Sequence, residues 1–380
     1  MSANPIAAGL LTHFEDLPDP RAPKGVRHSL HTILTIAFVA TICGADEWTE
    51  IEQFGKDKLR LFQDTFKVAQ RGVPSHDTFG RFFAILQPQA FQECFLSWIK
   101  SITEIVGQIA IDGKTMRGSF DTFNERLSQH IVSAYGSESG LVLAQVATSE
   151  KSNEITAIPQ LLSLLELQGC LVTMDAMGTQ TAIAQQIIDA EGDYLLAVKG
   201  NQGSLHEEIV ETFEKVGVQD DSHELEEINK DHGRLEKRRY VTCPAKDYLT
   251  PDQLKKWPSL KTIVMSDNFT DFVTGKKAGQ NRDRERRFFI TSLEAHEITK
   301  IKAGIRNHWG IENSLHYILD VAFGEDYNRT RKGNAAVNQS LIRHHALNLL
   351  KREGSVKVGI KAKRKKAGWS DDYLFKVLAA

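Results

Sequence analysis

The chain has little cysteine: four residues in 380, at Cys43, Cys94, Cys170 and Cys243, and no CxxC pair among them. That scarcity excludes a cysteine-built zinc module or a disulfide framework and fits a reducing cytosol. Long apolar runs are also missing. The longest near the N-terminus, ILTIAFVATICG, is about a dozen residues, too short to span a bilayer, and reads as a buried helix. It begins only at Ile33, behind a polar lead containing prolines, so a signal peptide is not expected either. No long internal repeat is visible. An overall excess of positive charge is absent too: the net charge is −2, so the whole chain lacks the basic signature of a nucleic-acid binder. What remains is an ordinary globular composition, 41% hydrophobic and 25% charged, enough for one large core or two to three domains.

The charge is unevenly distributed. From Lys351 to Lys366 there are eight Lys or Arg against one Glu, a run expected to be either a solvated tail over 351–380 or an electrostatic arm for phosphate backbones. Residues 1–104 carry helical apolar spacing in HSLHTILTIAFVATICGA, WTEIEQFGKDKLRLF, HDTFGRFFAIL and PQAFQECFLSWIKSIT, with Pro and Gly between them and Ser75 placed as a helix cap. From Val106 the texture changes. QIAID, HIVSAY and LVLAQVAT read as strands with GSESG as a turn, followed by helix TAIPQLLSLLEL, strand CLVTMDA, helix TQTAIAQQIIDA and strand DYLLAVK. That order predicts a mixed α/β sheet covered by helices. Residues 200–292 are more polar, with strand-like RRYVTCPA, TIVMSD and RRFFITSL, and are expected to form an inserted β-rich subdomain.

Three acids stand out. Asp112 closes the apolar run VGQIAID, Asp175 closes CLVTMD, and Glu312 lies in the helical segment IRNHWGIENSLHYILDVAF. Carboxylates at strand ends joined by one on a helix are what a site for two divalent ions requires. At about 100° per residue, a continuous helix places Glu312 inside the apolar arc with Ile305, Trp309, Ile311 and Leu315, flanked by His308 and His316 at i−4 and i+4. A carboxylate buried there needs a charge partner or a metal. The His–Glu–His row also has a zinc-ligand spacing, whereas three acids together suit Mg²⁺ or Mn²⁺. A buried Glu–His pair with no metal is the third reading.

Several stretches taken together resemble the DDE-type insertion-sequence transposases of the group that includes the H-repeat-associated proteins. They are DPRAPKGVRHSL, CGADEWTEIEQFG, PSHDTFGRFFAIL, IAIDGKTMRGS, EKSNEITAIPQLL, VTMDAMGTQ, YLLAVKGNQG, HGRLEKRRY and RNHWGIENSLHYILDVAFGEDYNRTR, and they cover most of the chain from about residue 10 to 345. The resemblance implies an RNase H-like mixed sheet flanked by helices over 105–350, the β-rich insertion at 200–292 preceding the last acid, and a helical N-terminal region, 1–104, that binds DNA ends. It puts the family's three acids on Asp112, Asp175 and Glu312, with two Mg²⁺ or Mn²⁺ ions per site. The implied activity is cleavage at transposon ends and strand transfer into target DNA, by a dimer or higher oligomer on double-stranded DNA in the bacterial cytosol. Lys114, Arg117, Lys199, Arg234, Arg238, Arg329 and Arg331 are then candidate phosphate contacts, and His308 and His316 candidate contacts to the scissile strand. Related transposases carry Tyr-x2-Arg-x3-Glu-x6-Lys around the third acid. Here those positions hold Ile305, His308, Glu312 and Leu319, and only the Glu is kept. Two other readings stand beside this one: a domesticated or inactive element acting as a DNA-binding protein, and an RNase H-like nuclease that cuts without strand transfer.

Overall fold

The structure, a computed structural model, describes residues 12–120, 127–148, 154–216, 221–231, 234–272 and 283–380. Nine strands hydrogen-bond in the order β3-β2-β1-β4-β5-β9-β8-β7-β6. They are β1 (Gln108–Thr115), β2 (His130–Gly136), β3 (Leu141–Thr148), β4 (Leu171–Met174), β5 (Asp193–Val198), β6 (His223–Asp231), β7 (Arg234–Pro244), β8 (Thr262–Phe272) and β9 (Asp283–Thr291). The first five, with β2 and β3 antiparallel and β1, β4 and β5 parallel, have the order of an RNase H-like sheet. No helix among the described residues is long and apolar enough to cross a membrane.

The chain divides into two compact units. One contains residues 105–112 and 154–311. In it the parallel strands alternate with helices α5 (Glu154–Ser163) and α6 (Thr181–Asp189), as buried apolar strands require. The stretch expected as an inserted β-rich subdomain, 200–292, continues this same sheet. β9 pairs antiparallel with β5, Leu195 to Thr291 through Val198 to Phe288, and β8, β7 and β6 add on as a meander. β5 would otherwise expose a row of unpaired backbone groups, which is the physical reason for the continuation. His232 and Gly233, in the HGRLEKRRY stretch, lie outside the described residues. Helix α9 (Ile298–Ile311) covers the sheet, burying Ile301 and Ile305 against Leu171, Leu195, Tyr240, Val264, Phe289 and Leu293. Gly304 permits its close approach, since a Cβ there would lie 2.8 Å from Leu195 Cδ2 and 3.0 Å from Leu171 Cδ2.

The other unit contains residues 1–104, 113–153 and 312–380. Its N-terminal helices are α1 (Leu30–Ile42), α2 (Trp48–Asp57), α3 (His76–Ile85) and α4 (Pro88–Ile102). Ser29 and Ser75 cap α1 and α3, their hydroxyls accepting from Thr32 N at 3.1 Å and Thr78 N at 3.4 Å. These helices share this unit with residues 312–380. They pack around α11 (Ala335–Arg352), in which every residue from Ala335 to Leu350 is buried. Several polar side chains of α11 reach across to other elements. Asn338 donates to Phe83 O (2.8 Å), Gln339 to Asp46 O (2.7 Å), and Asn348 exchanges two 2.9 Å bonds with the Val142 backbone of β3. α11 therefore ties the N-terminal helices to the β2–β3 hairpin.

The basic segment after α11 departs from expectation. Residues 351–380, expected as a solvated tail or a basic arm, fold instead as α12 (Ile360–Trp369) and α13 (Asp371–Leu378). Arg364 is 2% exposed, pairs with Asp46 Oδ1 at 2.6 Å, and lies 4.0 Å over the Phe323 ring. Lys363 is buried on the Leu350 carbonyl (2.9 Å), and Lys351 reaches Gly140 O (2.8 Å) and Tyr135 OH (3.1 Å). Long aliphatic stems and matched partners let these cations enter the core, something charge counting cannot foresee.

Candidate active site

In the first unit, β1 and β4 run parallel with Ile111 opposite Met174. Asp112 and Asp175 are each the next residue, so the two aspartates emerge side by side on neighbouring strands. Both strands are buried up to that point; Asp112 is half-buried and Asp175 exposed. The carboxyl ends of β1, β4 and β5 face one edge of the sheet, where open α/β folds gather their ligands. Asp175 Oδ1 accepts from the backbone of Met177 (3.0 Å) and Gly178 (3.4 Å), an Asx turn that fixes the side chain while leaving the second carboxylate oxygen outside the turn. The loop is braced from β5: Asn201 donates to Ala176 O at 2.6 Å, and Gln202 to Thr179 O. Lys199 begins that bracing loop and is exposed, so of the candidate cations it shares the edge with the aspartates.

His308, one turn before the end of α9, meets Thr173 Oγ1 at 3.0 Å, and Thr173 also receives Gln108 Nε2 at 3.0 Å. Gln108 donates in turn to Gly304 O at 2.8 Å. Sequence reasoning passed over Thr173 and Gln108, although a polar residue inside the apolar runs CLVTMD and GQIAID was a visible signal.

Glu312 departs from expectation. α9 ends at Ile311, and Glu312–His316 form a π-helical turn before α10 (Tyr317–Phe323). The wider turn breaks the 100° step on which the apolar arc was drawn. Glu312's side chain is 51% exposed rather than buried, Trp309 is exposed, and His316 is buried at 6%. His316 Nδ1 lies 3.7 Å from Glu312 Oε2. π-turns inside helices recur at functional positions because they aim one side chain out of register.

The remaining candidates divide. Lys114 is a correction. It is largely buried among Asp320 (2.7 Å), Asp326 (3.0 Å) and Glu325 (3.2 Å), and although burial opposes its charge, these carboxylates hold its pKa above the ordinary lysine value. A cation so engaged is not presented to a phosphate. Arg117 is 82% exposed and only 3.5 Å from Asp326 Oδ2; Arg331 is exposed, its Nε donating to Gly118 O (3.3 Å), and Arg329 is exposed. Arg234 and Arg238 lie on β7, where Arg238 pairs with Glu236 and is mostly covered.

Among known proteins, a family model described as "Transposase DDE domain" matches residues 107–349, and one described as "DDE_Tnp_1-associated" matches residues 11–99. The chain belongs to the DDE-domain transposase family. Relatives in the family include the H repeat-associated protein YhhI of Escherichia coli K12, 39% identical over 97% of this chain and 97% of its own length. YncI of Escherichia coli O157:H7 is 42% identical over 98% of this chain and 94% of its own length. Among solved structures, a cryo-EM structure of the piggyBac transposase synaptic complex with hairpin DNA aligns with 98% of this chain and 78% of that chain, at 11% identity and a TM-score of 0.44. The DDE-domain match begins just before β1 and ends within α11, so it takes in all three acids.

Proposed function

We propose that this transposase-family chain cleaves DNA at the ends of its element and joins the freed strand to target DNA, with Asp112, Asp175 and Glu312 as the metal-holding acids. The observation that carries the reading is the pair of aspartates emerging together from parallel β1 and β4, in a chain of the DDE family. The donor set suits hard divalent ions: three carboxylates supply oxygen, and His316 stands beside Glu312 with its Nδ1 3.7 Å from Glu312 Oε2. Bound there, Mg²⁺ or Mn²⁺ in a two-ion arrangement would activate the attacking oxygen and offset charge on the leaving 3′-oxygen.

The chain's own residues supply position. The Asx turn holds Asp175 to one orientation. The π-turn turns Glu312 outward while His316, beneath it, limits its swing. His308, held on Thr173, stands one turn before Glu312 as a contact for the scissile strand. Lys199 on the braced loop, with Arg117, Arg329 and Arg331 on the other unit, is suited to hold phosphates of the bound duplex. The working form on DNA is proposed to be a dimer or larger, and its compartment the cytosol.

The test uses purified full-length protein, Mg²⁺ and duplexes ending in the element's inverted repeats. Wild type should cut at the ends and yield joined products. Asp112→Asn, Asp175→Asn and Glu312→Gln should each reduce cleavage by at least about a thousandfold (~4 kcal/mol in the barrier) while melting and DNA binding stay near wild type. Near-normal cleavage in any one variant removes that residue from the site. Cutting without joining would mark a nuclease, and binding without cutting a DNA-binding protein.

A further inference from the structure

Two adjoining clefts lie at the surface of the unit that carries the N-terminal helices, with volumes of about 390 Å³ and 620 Å³. They share Val26, Arg27 and His28. Lys67 and Arg71 line one cleft, Arg21, Lys24 and Arg81 the other, and no carboxylate lines either. Arg21 is neutralised by Asp19, which it holds through Nε (2.8 Å) and Nη2 (2.6 Å). Five exposed cations remain: Lys24, Arg27, Lys67, Arg71 and Arg81. In a chain whose net charge is −2, such a one-signed lining is a local feature of this surface rather than a general one.

The backbone adds to it. The first turn of α1, at Ser29 and Thr32, lines one cleft, and the first turn of α3, at Ser75 and Thr78, lines the other. Both helices thus direct the positive ends of their dipoles at the same surface. The loop that presents Lys67 and Arg71 is strained: Lys67 has φ +58° and Ala69 φ +57°, values that residues other than glycine rarely adopt. It is held there by Val68 N on Phe62 O (3.0 Å) and Gln63 Nε2 on Ala69 O (3.2 Å). Strain that the surroundings keep in place is a mark of ligand clamps. Burial first, then the charges of Arg27, Arg21 and Arg71, push the pKa of His28, which lines both clefts, below its ordinary value.

From this geometry we infer that the paired clefts seat the sugar–phosphate backbone of duplex DNA. The inference rests on the transposase reading for its ligand, and it gives the N-terminal region a DNA-facing surface that none of the candidate cations named from the sequence belongs to. The phosphates would sit against Arg27, Arg71 and Lys24 at the two helix N-termini, where they position a duplex without any reading of its bases.

The experiment is fluorescence anisotropy of full-length protein with a 30-bp duplex, in metal-free buffer across a salt series. Lys24→Ala/Arg27→Ala/Arg71→Ala should flatten the slope of log K against log salt by about two to three units, at roughly 0.9 for each phosphate no longer neutralised. Affinity at low salt should fall at least about tenfold. Lys255→Ala/Lys261→Ala/Lys300→Ala, the same change of charge on the other unit, should leave the slope unaltered. Lys67→Gln/Arg81→Gln should flatten it by about one to two units, and thermal melts of every variant check that the fold is kept. An unchanged slope in both cleft variants, equal flattening in the control, or no binding by wild type overturns the inference. Cleavage of element ends with Mg²⁺ is scored separately. Cutting that survives alongside an unchanged slope overturns the cleft and leaves the transposase reading standing, and flattened slopes in the cleft variants of a protein whose wild type never cuts do the reverse.

Discussion

At the scale of single residues, burial decides more than residue type does. His345 sits in α11 with its ring centroid 4.3 Å from that of Phe95 and 4.9 Å from those of Phe38 and Trp98, and burial pushes its pKa down to about 3. Its neighbour His344 is pushed down to about 4 by the same cause. In the unfolded chain both would titrate near 6.5. Below that pH the unfolded chain binds protons the folded chain refuses, so stability falls with pH from about 6.5 to the folded-state values and is indifferent to these groups above 6.5. Melting temperatures of wild type should therefore drop across pH 6.5 to 4, and His345→Phe, which keeps a ring in the cage but takes no proton, should make that limb shallower. An identical limb in the variant would show that His345 is not its source. Lys114 carries the same lesson with opposite sign: sequence placed it two residues beyond Asp112 as a phosphate contact, and the fold encloses it among carboxylates.

At the scale of elements, the decisive departure is the π-turn Glu312–His316. Hydrophobic spacing located the helical segment correctly, but a uniform helix turned Glu312 inward, and one wide turn places its side chain toward solvent. Removing a single residue, Asn313, should convert the turn to α-helix and swing Glu312 by roughly 100° relative to the turns after it. End cleavage should be lost by at least about a hundredfold while the protein still melts cooperatively. Full activity in the deletion variant would show that the turn does not aim the acid. The strands were easier to read. Asp112 and Asp175 close short apolar runs, and such runs become buried parallel strands whose next residue reaches the sheet edge.

At the scale of the whole molecule, the C-terminal segment is part of the core. Arg364 satisfies the half-buried Asp46, and Tyr373 OH donates to Glu353 at 2.6 Å. Ending the chain at Leu350 would leave Asp46 without its guanidinium and take away the buried side chains of Leu374 and Val377. Losing that partner and those buried apolar side chains together destabilises the unit. The truncated protein should lose its cooperative melt by circular dichroism, where a detachable arm would have changed only the salt dependence of DNA binding. A truncation that melts like wild type would return 351–380 to the role of a tail.

The sequence by itself determined the strand and helix order through periodicity, the strand-end position of two acids, and the family through motifs spread along most of its length. Each of these is written in local spacing, which the backbone obeys wherever the chain goes. Which cations are enclosed, that the polar insertion continues the sheet from β5, that residues 1–104 wrap a helix more than 230 positions away, and that Lys24, Arg27, Lys67, Arg71 and Arg81 share one surface were decided only by the tertiary structure. They depend on which distant groups meet, and desolvation and pairing energies act on those meetings rather than on neighbours in sequence.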